Sequence, residues 1–300
     1  MNDTNRRVSV ALGYFDGLHL AHRAVLDAAL AGRDRGLTPV VLLFDAPPAE
    51  VLTGRAVPRL LADADRDRLL TNRGFALHKI RFAEIRELPP EAFVREILAD
   101  RLRAGAVSCG YNYRFGKSGA GDETLLKALC AQYGIDVTVL PELDLGGQPV
   151  SSTRIRALVQ NGEVEAANAL LGRPLLFTAP VFSGDHRGRL LGAPTINQYL
   201  PAGFVRPKRG VYVSTVRIGD RLYRGVTNVG YRPTFDGGSE RSETYILGFS
   251  GDLYGQSVTV GLLRFLRPEM KFESFDALKS QIGKDAETAA AVALDPNTEM

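Results

Sequence analysis

Residues 8 to 22 read Val-Ser-Val-Ala-Leu-Gly-Tyr-Phe-Asp-Gly-Leu-His-Leu-Ala-His, and this stretch predicts how the chain begins to fold. Its first five residues form an apolar run typical of a short buried strand. A turn flanked by glycines follows, and His19 and His22 open an amphipathic segment that predicts a helix. A strand, a turn and a helix start in this order can receive an anion, because unpaired backbone N–H groups and the positive end of the helix dipole point at it.

The two histidines of this stretch are candidates to contact that anion. They are three residues apart, on one face of the predicted helix, and the chain has four histidines in all. A phosphate site is the favoured interpretation. The alternatives are local hydrogen bonding at a helix start and a zinc site, which two histidines alone do not complete. At a phosphate, their N–H groups would neutralise charge during attack of one phosphate on the α-phosphate of a nucleotide.

The composition, 45% hydrophobic and 24% charged residues, is typical of a globular protein. A length of 300 residues indicates one large domain or, as the favoured interpretation, two. A net charge of +3 is too weak to indicate a nucleic-acid surface. Cys109 and Cys130 have no ligand spacing and are expected to be reduced core residues. We find neither a hydrophobic signal region nor an apolar run of about 20 residues, so we expect a cytoplasmic protein without a membrane partner. The composition leaves the oligomeric state open.

The first half of the chain alternates predicted strands and helices. This alternation indicates a Rossmann-like parallel sheet covered by helices, with ligands beyond the carboxyl ends of the strands. The predicted strands are Val8–Leu12, Pro39–Phe44, Ala106–Cys109 and Asp136–Leu140, and the predicted helices lie near 20–33, 62–72, 91–103 and 122–133.

The second half has a different pattern. After helices near 152–158 and 162–170 the chain breaks at Gly172-Arg173-Pro174, which places the predicted domains at residues 1–172 and 173–300. Short alternating runs separated by turns then indicate an antiparallel β-barrel. These runs are Leu175–Phe182, Gly210–Ile218, Arg221–Asn228, Glu243–Phe249 and Ser257–Leu266, followed by a helix at Ser274–Ile282 and an alanine-rich stretch near 285–294 that suggests a further helix.

Two further motifs of the first half favour binding of a planar ring and of phosphate. Residues 110–117 follow a predicted strand and combine aromatic rings with Asn112, Arg114 and Lys117 between glycines, which indicates a shelf for a planar ring near phosphate; an ordinary turn is the alternative. Residues 151–156 begin a helix with Ser152, Thr153 and Arg154. An arginine in the first turn of a helix opposes the helix dipole, which favours a local anion over simple capping.

In the second half, a glycine-spaced basic loop at 184–192 leads into Pro194-Thr195-Ile196-Asn197. Thr195 and Asn197 are two residues apart in an extended segment, so they share a face, and their oxygens suit Mg²⁺. Glu243 is a candidate general base for a hydroxyl group, and a solvated glutamate at the barrel rim is the alternative.

Taken together, these residues show that nearly the whole chain resembles the bifunctional riboflavin kinase/FAD synthetase family of bacteria. The similar segments, in chain order, are residues 13–22, 110–116, 150–156, 188–197, 228–235, 252–255 and 266–272. The chain differs from the family pattern at Ala21, in place of glycine, at Pro47, in place of histidine, and at Tyr245 and Gly248, in place of histidine and aspartate.

For the barrel, the resemblance implies transfer of the γ-phosphate of ATP to the ribityl 5′-hydroxyl of riboflavin, giving FMN. Thr195 and Asn197 would hold Mg²⁺–nucleotide and Glu243 would take the hydroxyl proton. The remaining binding residues implied for this half are Gly188, Arg189, Gly192, Pro194 and Arg267.

For the first domain, the resemblance implies attack of FMN on the α-phosphate of a second ATP, forming FAD and pyrophosphate. His19 and His22 would bind the phosphates. The other implied binding residues are Gly13, Phe15, Asp16, Gly17, Asn112, Arg114, Ser152, Thr153 and Arg154. The alternatives are a kinase with a degenerate first domain, a cytidylyltransferase-like first domain for another phosphorylated alcohol, and a non-catalytic flavin or nucleotide carrier.

Overall fold

A computed structural model describes residues 7–183, 194–232, 239–295 and 298–300. The chain forms two compact units, and the division does not follow chain order. The first unit contains the residues up to Val57 together with Arg66–Ser151, and the second contains Pro58–Asp65 together with the residues from Ser152 onward. The short segment Pro58–Asp65 therefore belongs with residues much later in the chain.

The first unit is built on five parallel strands in the order β3-β2-β1-β4-β5. They are Val8–Leu12 (β1), Thr38–Phe44 (β2), Ala76–Ile80 (β3), Ala104–Gly110 (β4) and Asp136–Leu140 (β5). Strands β1 and β2 are buried over nearly their whole length, as expected where both faces of a parallel sheet are covered. The helices are Leu20–Leu30, Pro48–Thr53, Asp63–Asn72, Phe82–Ile85, Pro90–Ala92 and Glu123–Ala131. The predicted parallel α/β fold is confirmed.

The pattern of the sequence missed strand β3. This strand is at the edge of the sheet, and its sequence, Ala-Leu-His-Lys-Ile, has only one fully buried residue. An edge strand of this kind shows neither an apolar run nor a clear alternation of apolar and polar residues, so its sequence does not indicate a strand. The helix predicted at 91–103 also differs in kind, because Phe93–Arg101 forms π-helical turns.

The second unit is a curled antiparallel sheet in the order β6-β11-β8-β9-β10-β7. The strands are Leu175–Pro180 (β6), Thr195–Tyr199 (β7), Gly210–Ile218 (β8), Arg221–Arg232 (β9), Ser239–Ile246 (β10) and Ser257–Arg267 (β11). Helices Ser152–Asn161 and Val164–Leu171 precede it. A single pairing of Phe182 with Asn197 joins the chain after β6 to β7, so the two ends of the sheet approach each other. The predicted antiparallel barrel is confirmed in the form of this half-barrel.

The two faces of this sheet differ in chemistry. On one face, Thr227 Oγ1 lies 2.7 Å from Ser214 Oγ and 2.9 Å from Thr244 Oγ1, in a buried row of hydroxyls. On the other face, apolar residues including Val213 and Val226 pack with Ala289 of the C-terminal helix. That helix runs unbroken over Phe275–Ala290. The prediction of a stop at 282 and of a separate alanine-rich helix was therefore wrong.

The reason lies at Gly283, which weakens the helical pattern in the sequence. Its Cβ position has open space around it, so a glycine there costs only its intrinsic helix propensity and does not end the helix. Near its far end the helix is tied to the sheet, because Arg267 Nη2 on β11 donates to Asp285 Oδ2 at 2.8 Å. Both side chains of this pair are largely buried.

Candidate active sites

The turn between β1 and the helix Leu20–Leu30 is held in an unusual backbone conformation. Phe15 and Leu18 have φ of 58° and 46°, in the left-handed region that non-glycine residues rarely adopt, and Gly17 has φ of 80°. The side chains of Phe15 and Leu18 are completely buried, which anchors the turn from below. A Cβ on Gly13 would lie 3.1 Å from the Phe15 ring, so the ring fills the space beneath that glycine. Phe15 thus shapes the turn from within the core.

The two histidines meet at the start of the helix. His19 is the N-cap, and its Nδ1 accepts a hydrogen bond from the His22 backbone N–H at 3.3 Å. The two imidazole rings are stacked, with centroids 3.6 Å apart and planes 15° apart. Because Nδ1 of His19 accepts, the proton of the neutral His19 ring is on Nε2.

The His22 ring is kept neutral. Burial, and secondly the nearby His19, lower the pKa of His22 well below its usual value. Its Nδ1 is buried and has no hydrogen-bond partner among the residues that the structure describes. A neutral ring at a helix N-terminus can donate a hydrogen bond from its N–H to an oxyanion without adding a charge.

The loop after β4 is next to this turn in the sheet, because β4 neighbours β1 and both strands run in the same direction. Of its predicted residues, Asn112 is exposed, and Arg114 lies 3.7 Å from the Asp122 carboxylate in an exposed ion pair. Phe115 and Tyr113, however, pack in the core of the unit. Of the aromatic side chains predicted to form a shelf here, only Tyr111 is exposed.

Ser152, Thr153 and Arg154 begin the helix Ser152–Asn161, as predicted. This helix belongs to the second compact unit, whereas the turn with the two histidines belongs to the first. Within the second unit, Arg156 Nε donates to the carbonyl of Pro58 at 2.5 Å. The participation of residues 152–154 in the first site stays a prediction.

In the second unit, three polar side chains lie in a row across neighbouring strands. Glu243 on β10 is directly opposite Asn197 on β7 and, on its other side, directly opposite Asn228 on β9. Residues opposite each other in antiparallel strands project from the same face, so the three side chains share it. Thr195 is two residues from Asn197 on β7 and shares that face too. The structure thus brings together Thr195 and Asn197, predicted for metal binding, and Glu243, predicted for proton transfer, although Glu243 is more than 40 positions further along the sequence.

Arg241 is a functional candidate that the sequence analysis missed. It is two residues before Glu243 on β10, and its Nη2 lies 3.4 Å from Glu243 Oε1. The Arg241 side chain is only 12% exposed, whereas that of Glu243 is 40% exposed. A largely buried cation therefore lies beside a carboxylate that solvent can reach. The two-residue spacing of Arg241 and Glu243 was the available sequence signal, because residues two apart in a strand share a face.

A cleft of about 360 Å³ opens beside Thr195. Its walls include Val181, Phe249, Leu253 and Tyr254, and Asp252 adds a carboxylate. This volume is within the usual range for small-molecule sites, and the lining combines apolar walls with a few polar groups.

The other predicted residues of this half fall in three places. Gly188, Arg189 and Gly192 lie outside the described residues. Pro194 is exposed directly before β7. Arg267 pairs with Asp285, and its guanidinium carbon lies 5.7 Å from the centre of the Phe272 ring.

The described residues contain no group of three or more His, Cys, Asp or Glu side chains able to hold a metal ion, so the zinc alternative gains no support there. Within the same residues, no helix is both long and apolar enough to cross a bilayer. Cys109 and Cys130 are buried free thiols, and burial raises the pKa of Cys109 to about 11.

Comparison with known proteins places both units in one family. The family model for FAD synthetase matches residues 1–154, and the family model for riboflavin kinase matches residues 171–293. A bifunctional riboflavin kinase/FMN adenylyltransferase of Listeria monocytogenes is 36% identical over 94% of this chain and 91% of its own length. The chain belongs to the bifunctional riboflavin kinase/FMN adenylyltransferase family. The predicted family, two-activity function and transferase chemistry are thereby confirmed.

A second family member and one solved structure match to a similar extent. The bifunctional riboflavin kinase/FMN adenylyltransferase of Escherichia coli K12 is 35% identical over 93% of this chain and 91% of its own length. A crystal structure titled as a macrolide-efflux protein from Streptococcus pneumoniae is 33% identical, covers 97% of this chain and 96% of that chain, and superimposes with a TM-score of 0.86. The fold of that solved structure therefore extends over nearly the whole chain.

Proposed function

We propose that the row Thr195, Asn197 and Glu243 is the riboflavin kinase site of this chain. The observation that carries the proposal is the register of β7 and β10, which sets Glu243 directly opposite Asn197. The Glu243 carboxylate takes the proton of the ribityl 5′-hydroxyl as the oxygen attacks the γ-phosphorus of ATP. The new O–P bond forms while the bond to the β–γ bridging oxygen breaks, so FMN and ADP leave.

In this proposal Thr195 and Asn197 hold Mg²⁺ together with the nucleotide phosphates. Their hydroxyl and amide oxygens are hard neutral donors, which suit an ion that keeps water and phosphate ligands and takes few ligands from protein. Asn197 is almost fully buried, so its amide is held in place by the sheet. When bound, the ion neutralises charge on the transferred phosphoryl group. The cleft beside Thr195 has the size and lining for the rest of the nucleotide.

The adenylyltransferase site is proposed at the turn of residues 13–22. There an FMN phosphate oxygen attacks the α-phosphorus of ATP, the α–β bridging bond breaks, and pyrophosphate leaves. His19 Nε2–H and the His22 ring act as neutral donors at the phosphate oxygens, and the helix N-terminus adds its dipole. Gly13, Asp16, Gly17, Asn112 and Arg114 are proposed to complete the site within this unit.

One assay of the full chain tests both sites. The protein is incubated with riboflavin, ATP and Mg²⁺, and riboflavin, FMN and FAD are separated by chromatography; a second incubation starts from FMN. We expect both FMN and FAD. FMN without FAD in either incubation would favour the alternative of a kinase with a degenerate first domain, and neither product would favour a carrier.

A cytoplasmic location and a functional division at residues 172 and 173 are part of the same proposal. Both substrates and ATP are available in the cytoplasm. The FAD synthetase match ends before that division, and the riboflavin kinase match begins at residue 171, within two residues of it.

A further inference from the structure

Asn228 lies beside the proposed general base, on the side away from the proposed nucleotide. Glu243 on β10 is flanked by Asn197 on β7 and by Asn228 on β9, and each is its direct cross-strand neighbour. Side chains at such positions are about 5 Å apart at Cβ, close enough to contact the same small molecule. Neither the metal nor the proton transfer proposed above uses Asn228.

The amide of Asn228 has a defined orientation. Its Nδ2 donates to Glu269 Oε1 at 3.3 Å, and a carboxylate can only accept, so the NH₂ group faces Glu269 and Oδ1 faces the opposite way. Gly230, two residues along β9, makes room for this arrangement, because a Cβ there would lie 2.6 Å from the same Glu269 oxygen. The pair therefore sets the direction of Oδ1.

That oxygen lacks a donor among the described residues. Asn228 Oδ1 is buried and accepts no hydrogen bond from any of them. A buried carbonyl oxygen without a donor is unfavourable, and such atoms in functional clefts are commonly satisfied by the ligand.

We propose that Asn228 Oδ1 accepts a hydrogen bond from the ribityl hydroxyl next to the one that is phosphorylated. The inference rests on the proposed function, which puts the nucleotide phosphates at β7 and the reacting hydroxyl at β10. In-line transfer requires the attacking alcohol to approach from the side opposite the leaving group. The rest of the ribityl chain therefore extends from β10 towards β9, where Asn228 is the polar side chain opposite Glu243.

The test removes each partner of this hydrogen bond in turn. The full chain, with Mg²⁺ and ATP, is assayed for kinase activity with riboflavin and with 4′-deoxyriboflavin, which lacks the penultimate hydroxyl. Asn228→Ala should lower kcat/KM for riboflavin by about tenfold and leave kcat/KM for the deoxy analogue unchanged within about twofold, as expected for one neutral hydrogen bond. Asn161→Ala is the matched control, because Asn161 also donates its amide to a glutamate, Glu163 at 3.4 Å, but at the end of a helix.

Equal losses with both substrates would overturn the inference, since Asn228 would then act on Glu243 or on the sheet. A loss that disappears at high Mg²⁺ concentration would overturn it too, by assigning the oxygen to the metal. Should Asn228→Ala fail to fold, Glu269→Ala frees the amide to rotate, and it should give a smaller loss confined to riboflavin; a loss with both substrates would count against the inference. If the unmodified chain forms no FMN at all, the proposed function fails, which is a distinguishable result.

Discussion

His19 and His22 stack with their ring centroids 3.6 Å apart, and the side chain of the first accepts the backbone N–H of the second. Two protonated imidazoles at this separation would repel each other, and burial adds to the cost of a charge on His22. The His22 ring is therefore kept neutral, as a donor of hydrogen bonds without a charge.

The lowered pKa of His22 predicts how stability changes with acid. An unfolded histidine takes up a proton near pH 6.5, whereas folded His22 resists protonation, so the unfolded state binds more protons as the pH falls below 6.5. Folded stability should therefore drop between pH 7 and pH 5.5, and His22→Asn should remove about 1 kcal/mol of that drop. Urea unfolding at the two pH values measures it. Identical pH dependence in the variant and the unmodified chain would contradict the prediction.

Replacement of the general base should separate the two activities. Glu243→Gln keeps the size of the side chain but cannot take a proton, so FMN formation should fall by at least about 100-fold. Conversion of supplied FMN to FAD should stay within about twofold of the unmodified rate, since Glu243 is in the second unit and the histidines are in the first. Chromatography of the flavins reports both rates. Equal loss of both would mean that the glutamate acts on the fold.

Gly13→Ala tests the packing of the first turn. The added methyl group would come within 3.1 to 3.3 Å of the ring of the completely buried Phe15, which has little room to move. We expect adenylylation of FMN to fall by about tenfold or more through displacement of the turn, while riboflavin phosphorylation is unchanged.

Phe15→Leu in the Gly13→Ala background supplies the control, because a smaller side chain makes room for the methyl group. Partial recovery of FAD formation is the expected result. A double variant no better than the single one would indicate that Gly13 is needed for contact with the substrate.

Asp285→Ala should loosen the C-terminal helix. It would leave Arg267 largely buried without its anion, and loss of one partner of such a pair costs about 3 to 5 kcal/mol. Thermal unfolding should show a lower midpoint, with kinase activity lost at lower temperature than adenylyltransferase activity. Asp276→Ala, in the first turn of the same helix, is the matched control and should have a much smaller effect.

The sequence predicted those helices and strands whose hydrophobic pattern is contained within the segment itself. Strands β5 and β8 have the predicted bounds, and the turn with His19 and His22 follows from one continuous stretch. The half-exposed β3 has no such pattern, and Gly283 made one helix look like two. In both cases the packing around the segment, and not its own sequence pattern, determined the secondary structure.

The role of Asn228 depends on strand register, which no local pattern specifies. Glu243 was identified as a candidate base from its own segment, but its two cross-strand neighbours come from β7 and β9. Which residue of a distant strand is directly opposite is set by the packing of the whole sheet. The aromatic shelf predicted at 110–117 is not formed as expected for a related reason, because Phe115 and Tyr113 pack in the core of the first unit.

The segment Pro58–Asp65 has a consequence for synthesis. It contributes backbone hydrogen bonds between Arg59 and residues 203 and 205, and Asp65 accepts from the Thr178 hydroxyl at 2.6 Å. The ribosome releases this segment long before those partners, and at about 5 to 20 residues per second the delay amounts to several seconds. During that interval residues 66–151 of the first unit are still being made, and the segment has none of its partners in the second unit. The second unit therefore cannot be completed until residues that follow the whole first unit have been synthesised.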